Sequence, residues 1–347
     1  MSRILALARP EIVALEPYAH AGWDPAFERL HANELPWRAE TDRSLAGLNR
    51  YPEPHPHKLA ARLAQLYGVE PTQLLPGRGS DESIDLVVRG FCRAGVDNVI
   101  ICPPTFGMYA VCANIQGAEV RKVPLPRERG YELDVEAVLR ARNRNTKIVF
   151  LCSPNNPTGN SLDASSIERV IGEFDGLVVV DEAYVEFTGE DRFTPWVRRH
   201  PNLVVLRTLS KAFGLAGARV GSLIASPEIV SLLAKVIPPY SIPQPTIETV
   251  FATLAPPQLA IQRERVKQVR AERERLRTAL TAAPTVIKVW PSDANFLLVD
   301  FVDAEAALLA ARSARLLIRD MRNVSPQSLR ISVGSPEQND RLIRSFA

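Results

Sequence analysis

Apolar positions in the middle of this chain come in unbroken runs rather than in alternation. Leu177, Val178, Val179 and Val180 form one such run, and Ile148, Val149, Phe150 and Leu151 form another. A strand with one face on a core alternates apolar and polar residues. An unbroken run of this length reads as a strand covered on both faces, which is the usual setting of a parallel strand. The pattern predicts strands over 99–102, 119–123, 148–151, 177–180, 203–207 and 220–225. Helical segments alternate with most of them, which defines an α/β architecture around a largely parallel sheet. Upstream, apolar residues at helical spacing predict a helix over 59–67, closed by Gly68. Leu74, Leu75 and Pro76 lead into a turn at Gly77 and Gly79, followed by a helix over 81–92. Downstream, a long charged helix over 257–283 leads to strands over 286–290, 295–300 and 329–333. The expected organisation is an arm over 1–45, irregular apart from one short helix and packed with the small domain. A large domain follows over 46–255, then a small α+β domain over 256–347.

Length and charge support a globular enzyme. At 347 residues the chain exceeds what one simple core holds, which agrees with two lobes. A net charge of +3 is small for that length and calls for neither a nucleic acid nor an acidic membrane as partner. The basic run over 262–277 is interrupted by Glu264, Glu272 and Glu274, and Val266, Val269 and Leu276 give it an apolar stripe. It reads as a solvated helix with pairs such as Glu272 and Arg275. Ile4 to Ala8 is too short for the core of a signal peptide. No stretch approaches the roughly 20 apolar residues that span a bilayer, so the expected location is the cytoplasm. Cys92, Cys102, Cys112 and Cys152 lack metal-ligand spacing and read as reduced, buried thiols. His55 and His57 without further ligands do not close a metal site, so no metal is expected. They are read as a loop near a subunit interface.

The chemistry concentrates in three segments. Lys211 lies between Ser210 and a small-residue turn, with Thr208 before it and Arg219 after it. A lysine that bonds an aldehyde needs partial desolvation beside groups that grip the aldehyde's carrier. Two hydroxyls and a guanidinium are suited to a phosphate. Asn156 follows the strand ending at Leu151, and Asp181 and Tyr184 follow the run 177–180. Ligands in open α/β sheets meet such carboxyl ends. An aspartate there can hold a pyridine nitrogen protonated. Gly79, Ser80 and Asp81 open a helix whose first amides and dipole favour an anion. Taken singly, Asp181 reads equally as a helix cap, Asn156 as a turn residue, Tyr184 as core, Ser80 or Asp81 as a simple cap and Lys211 as a surface lysine.

In this order the segments resemble the pyridoxal-phosphate enzymes of the aspartate aminotransferase fold, fold type I. The resemblance narrows to the histidinol-phosphate aminotransferase family over 48–52, 77–82, 103–109, 153–159, 181–184, 207–213 and 329–334. It implies a mostly parallel seven-stranded sheet in the large domain and pyridoxal 5'-phosphate as cofactor. Lys211 is then the residue that joins the cofactor and carries a substrate proton. Asp181 partners the ring nitrogen, and Tyr184 and Asn156 partner the ring hydroxyl. Phe106 stacks on the ring where many relatives have tyrosine. Gly79, Ser80, Asp81, Thr208, Ser210 and Arg219 hold the phosphate, joined by Tyr51 from a second subunit. The implied assembly is a homodimer with shared active sites. Tyr18, Asn156, Arg319 and Arg330 are the implied substrate contacts, although Arg319 could instead pair with Asp320 or another acid. Leu35 stands where the family usually has a second asparagine.

The implied reaction is transamination between L-histidinol phosphate and 2-oxoglutarate, giving imidazole acetol phosphate and L-glutamate, in histidine biosynthesis. Two alternatives remain: an aromatic amino acid aminotransferase, which would use the same catalytic set and only Arg330, and a threonine-phosphate decarboxylase, which shares the fold and a phosphate pocket but breaks a carbon–carbon bond. Regulators that carry an aminotransferase-like domain need a DNA-binding module, for which the stretch before Tyr51 is too short.

Overall fold

A computed structural model describes residues 2–346 apart from 21, 23, 25, 191 and 192. The unbroken apolar runs are strands with a core on each face. On β4 (Thr146–Cys152), β5 (Leu177–Asp181) and β6 (Leu203–Thr208), successive residues point to opposite sides. Val149, Leu151, Val178, Val180 and Val205 enter one core, while Ile148, Phe150, Val179, Val204 and Leu206 enter the other. Each is almost wholly shielded from solvent, a burial worth roughly 1.5–3 kcal/mol per large apolar side chain.

The remaining strands of this sheet are β1 (Leu74–Gly77), β2 (Asn98–Ile101), β3 (Glu119–Lys122) and β7 (Gly221–Ile224). The order across the seven strands is β1-β7-β6-β5-β4-β2-β3. The β3–β2–β4–β5–β6 ladder is parallel. β7 runs antiparallel to both β6 and β1. The pattern of residues predicted six of these strands; β1 escaped it because Pro76 shortens its apolar run. Proline is tolerated there since β1 lies at the sheet edge.

Helices cover the sheet. They begin with α1 (Pro10–Val13) in the arm and α2 (His57–Tyr67), which ends at a left-handed Gly68. Next come α3 (Ser80–Phe91), α4 (Met108–Gln116), α5 (Val135–Ala141) and α6 (Ala164–Glu173). α7 (Pro227–Ala234) and α8 (Gln244–Thr253) precede the long α9 (Pro256–Thr281). α9 buries Leu276 and Leu280 against a second core, and its basic face carries the Glu272–Arg275 pair at 2.9 Å.

That second core backs a four-stranded antiparallel sheet ordered β10-β11-β9-β8. Its strands are β8 (Val286–Val289), β9 (Phe296–Phe301), β10 (Arg319–Asp320) and β11 (Ser328–Ser332). α10 (Ala304–Ser313) and α11 (Pro336–Ser345) complete the unit, α11 opening with a Ser335–Gln338 capping box. The buried Asp300 carboxylate ties the sheets together, accepting from Arg127 Nη2 and Trp290 Nε1 at 2.7 Å each. The four cysteines are unpaired and buried.

One close approach positions the site. Gly221 on β7 lies against the start of α3, and a Cβ at that position would meet the Ser80 nitrogen at 2.5 Å. Gly221→Ala should therefore push strand and helix apart and destabilise the protein by about 1–3 kcal/mol. A thermal melt reads this directly. An unchanged midpoint would show that the approach carries no constraint.

Candidate active site

The carboxyl ends of the parallel strands converge on one cleft of about 1110 Å³. β5 delivers Asp181, the last residue of its apolar run. The turn after β6 delivers Ser210 and Lys211, and the loop after β4 delivers Asn156. Ser80, Asp81, Phe106, Asn156, Asp181, Tyr184, Thr208, Ser210, Lys211, Arg219, Arg319 and Arg330 all line the cleft. Gly79 lies just behind the wall: at φ +82° it adopts the left-handed region, and a Cβ there would meet Arg219 Nη2 at 2.6 Å. Tyr18 and Tyr51 lie elsewhere. Tyr51 is half exposed, its ring 4.9 Å from that of Tyr240, beside a separate depression with Glu34 and Arg50. Tyr18 is largely exposed on the arm.

At one end of the cleft the groups suit a dianion. The first amides of α3 have no side-chain cap, so they and the helix dipole face outward. Arg219, itself left-handed at φ +56°, reaches Ser210 Oγ and Asp81 Oδ2, each at 3.3 Å. Thr208 Oγ1 accepts from the Ser210 amide at 3.1 Å, which fixes the turn. Hydroxyls, amides and guanidinium thus converge without a wall side chain at Gly79. These residues fit a phosphate.

Deeper in, Asp181 is 2% exposed. Its Oδ2 accepts from Tyr109 Oη at 2.8 Å and its Oδ1 from the Ala183 amide at 3.0 Å. Burial outweighs both bonds and pushes the carboxyl up to about 6. A buried acid of this kind fits a cationic ring nitrogen as its partner. Lys211 opens onto the cleft, yet crowding by its walls lowers its pKa, and repulsion from Arg330 and Arg219 adds to this. Its Nζ lies 5.8 Å from the centre of the Tyr184 ring. Asn156 Nδ2 donates to Tyr184 Oη at 3.3 Å, and Asn156 Oδ1 accepts from Arg330 Nη1.

Arg319 and Arg330 stand directly opposite each other across β10 and β11. Asp320 turns instead to Arg322, at 2.7 Å, so the pairing of Arg319 with its own neighbour is not the dominant contact. Sequence reasoning assigned no role to Tyr109, although it stands one helical turn beyond Phe106 and that spacing was available. Lys122, at the end of β3, and Asn323, beside β10, also line the cleft and carried no motif.

The chain belongs to the class I and II aminotransferase family, which it matches over residues 30–346. Within that class it is 48% identical to histidinol-phosphate aminotransferase of Stenotrophomonas maltophilia, over 99% of this chain and 96% of that protein. Histidinol-phosphate aminotransferase from Sinorhizobium meliloti in complex with pyridoxal-5'-phosphate superposes with a TM-score of 0.74 at 27% identity, covering 86% of this chain and 84% of that one. L-threonine-O-3-phosphate decarboxylase from Porphyromonas gingivalis matches at TM-score 0.74 and 25% identity, covering 86% and 90%. The protein is an aminotransferase, and the family together with the complexed neighbour implies pyridoxal phosphate as its cofactor.

The burial of Asp181 has a consequence for stability. With a folded pKa near 6 against 3.8 for the free group, the native chain keeps a proton that the unfolded chain has lost between those values. Stability therefore falls as pH rises through that window and stays lower above it. Asn at 181 can still accept from the Ala183 amide through its oxygen and donate to Tyr109 through its nitrogen. Asp181→Asn should stabilise the cofactor-free protein by about 1–3 kcal/mol at pH 7.5 and by little at pH 3.5. Urea unfolding at the two pH values tests this; an equal effect at both would remove the titration as its cause.

Proposed function

We propose that the chain transfers the amino group of L-histidinol phosphate to 2-oxoglutarate, giving imidazole acetol phosphate and L-glutamate, as a step of histidine biosynthesis. The observation that carries the substrate assignment is the opposition of Arg319 and Arg330 on the wall facing Lys211. Like charges directly across a strand pair repel, and Arg330 is further strained by burial, which lowers its pKa. An anion bridging the two forks relieves both effects. The substrates supply one in each half-reaction: a phosphate monoester first, then the carboxylates of glutamate or 2-oxoglutarate. Lys122 adds a further cation to the cleft. The relatives named histidinol-phosphate aminotransferase support the same reading.

Bound pyridoxal phosphate supplies an aldehyde and an electron-accepting ring. The residues that would hold it are Gly79, Ser80, Asp81, Thr208, Ser210 and Arg219 at the phosphate, Phe106 on the ring face, and Asn156 and Tyr184 at the ring oxygen. Asp181 holds a proton at the ring nitrogen. Lys211 would hold the aldehyde end, and its Nζ moves the proton at the amine-bearing carbon of the substrate. Its lowered pKa favours the neutral form that this task needs. Tyr18 would close over the substrate from the arm.

The proposed assembly is a cytoplasmic homodimer with shared sites, Tyr51 reaching the phosphate of the partner. Leu30, Trp37 and Leu45 are mostly exposed along the arm, and an apolar surface of that kind is suited to cover by a second copy. The proposed division is an arm over 1–45, a large domain over 46–255 that binds the cofactor, and a small domain over 256–347. The arm packs on the large domain instead of the expected small one, Ile4 and Ala8 entering the core beside α3 and α7 and the Arg9 amide donating to the Gly90 carbonyl at 3.0 Å. Among the described residues no helix is long and apolar enough to cross a membrane, and no group of three or more metal-ligating side chains occurs.

The test is the absorbance spectrum of the cofactor-loaded protein mixed with L-histidinol phosphate alone. The lysine-bound band should convert to that of pyridoxamine phosphate and return on addition of 2-oxoglutarate. Lys211→Ala should lose this conversion while folding normally. Release of carbon dioxide from threonine phosphate without conversion would move the function to the decarboxylase reading that the Porphyromonas neighbour raises.

Arg319→Leu separates the two substrates. Loss of a charge-assisted contact should raise KM for histidinol phosphate about ten- to a hundredfold. The change for phenylalanine, which brings only one carboxylate, should be much smaller. Equal losses in steady-state kinetics would argue against Arg319 as a phosphate ligand.

A further inference from the structure

Tyr109 is the most constrained group near Asp181 to which the mechanism above assigns no task. Its side chain is fully buried at the start of α4. The ring stacks on Phe150, with centroids 4.8 Å apart and planes 5° from parallel, and meets Phe106 edge-on at 5.7 Å. Packed on two sides, it cannot swing away from Asp181. Its hydroxyl donates to Asp181 Oδ2 at 2.8 Å. Burial and the neighbouring Asp181 charge raise the phenol well above its ordinary value, so it stays a donor at any working pH.

The other titratable groups that act on Asp181 or Tyr109 are few. Cys152 lies opposite Asp181 in the β4–β5 register, and its buried thiol is itself pushed upward. Asp81 raises the Asp181 carboxyl slightly and Lys211 lowers it. Among the described residues none of these donates a hydrogen bond to the carboxylate; Cys152 Sγ donates instead to the Pro154 carbonyl at 3.4 Å. Tyr109 is therefore the side chain whose hydrogen bond favours the ionised form, against a burial that favours the neutral one.

We propose that Tyr109 is a positioning residue that decides where a shared proton lies: its donation to Asp181 keeps that proton on the ring nitrogen of the cofactor rather than on the carboxyl. The inference rests on the cofactor reading above. An aspartate and a ring nitrogen facing each other hold one proton between them. The charged arrangement, carboxylate against pyridinium, leaves the ring a strong electron acceptor; the neutral arrangement does not. A donor to Oδ2 stabilises only the former. Phe106 and Tyr109 reach the site from the same helix entry, so one short segment would both stack on the ring and set its protonation.

The test uses the full chain loaded with pyridoxal phosphate carrying ¹⁵N at the ring nitrogen, in wild type and Tyr109→Phe. Phenylalanine keeps the stacking on Phe150 and Phe106 and removes only the hydroxyl. The wild-type nitrogen should show the chemical shift of a protonated ring at pH 7.5, and the variant should move toward the unprotonated value. The rate of the half-reaction with histidinol phosphate should fall about ten- to a hundredfold, with KM little changed. In an Asp181→Asn background, Tyr109→Phe should have no further effect on rate. An unchanged ¹⁵N shift, or an equal loss of rate in both backgrounds, overturns the role of Tyr109 and leaves the cofactor reading standing. A wild-type chain that binds no labelled cofactor overturns both.

Discussion

Arg207 and Glu182 meet in the interior with side chains 3% and 0% exposed, each one position along from a cleft residue, Thr208 and Asp181. A buried ion pair is costly unless every polar group finds a partner. Glu182 also accepts from the Phe193 amide and Thr194 Oγ1 at 2.9 Å each, and Arg207 donates to Thr194 and Glu186 while lying over the Tyr67 ring. Both members thus have several partners, and the network pins the carboxyl ends of β5 and β6 to one another. Side chains alternate along a strand, so turning Glu182 and Arg207 inward turns Asp181 and Thr208 toward the cleft. A slip of one residue in either strand would bury the wrong member of each pair.

That constraint explains why the central fold was legible in the sequence. The runs at 148–151 and 177–180 divide residue by residue between two cores, and only a strand covered on both faces needs apolar residues at every position. The segments that line the cleft were legible for a related reason: each follows such a strand, and loops at carboxyl ends face a common opening. What escaped was set by partners distant in sequence. β1 is short, interrupted by Pro76, and exists because β7 folds back antiparallel beside it. β10 has two residues and is a strand only through β11. Tyr109 finds Asp181 across 72 positions, which no local pattern encodes. Tyr51 and Tyr18 drew their roles from resemblance alone, and both lie outside the cleft of a single chain.

The cleft stores electrostatic tension in several places. Asp181 is desolvated, Arg330 is desolvated and faces Arg319, and Lys211 is depressed first by burial and then by the cations around it. Each is unfavourable for the chain alone, and each is relieved by charge of the opposite sign. In the proposed reaction a ring cation would answer Asp181, a phosphate would answer Arg219 and the amides of α3, and a substrate anion would answer the arginine pair. Stability given up at such positions becomes binding energy when those charges arrive. The sheet can hold this tension because its two cores bury large apolar side chains almost completely.

Asn156 joins the two parts of the site. Its amide nitrogen donates to Tyr184, on the ring side, and its oxygen accepts from Arg330, on the small sheet. The loop that carries it is braced against that sheet, where the Asp293 amide donates to the Gly159 carbonyl at 2.8 Å and a Cβ at Gly159 would collide with Ser292. Arg330 is therefore held in place on one edge before any anion binds, with its remaining donors free to point into the cleft. A fork fixed in advance loses less conformational freedom on binding than a mobile one. In the proposed reaction this matters twice, because the same arginine must accept a phosphate ester and then a carboxylate without rebuilding the site between half-reactions. A rigid guanidinium, presented by a strand and steadied by the residue that also steadies the ring, meets that requirement.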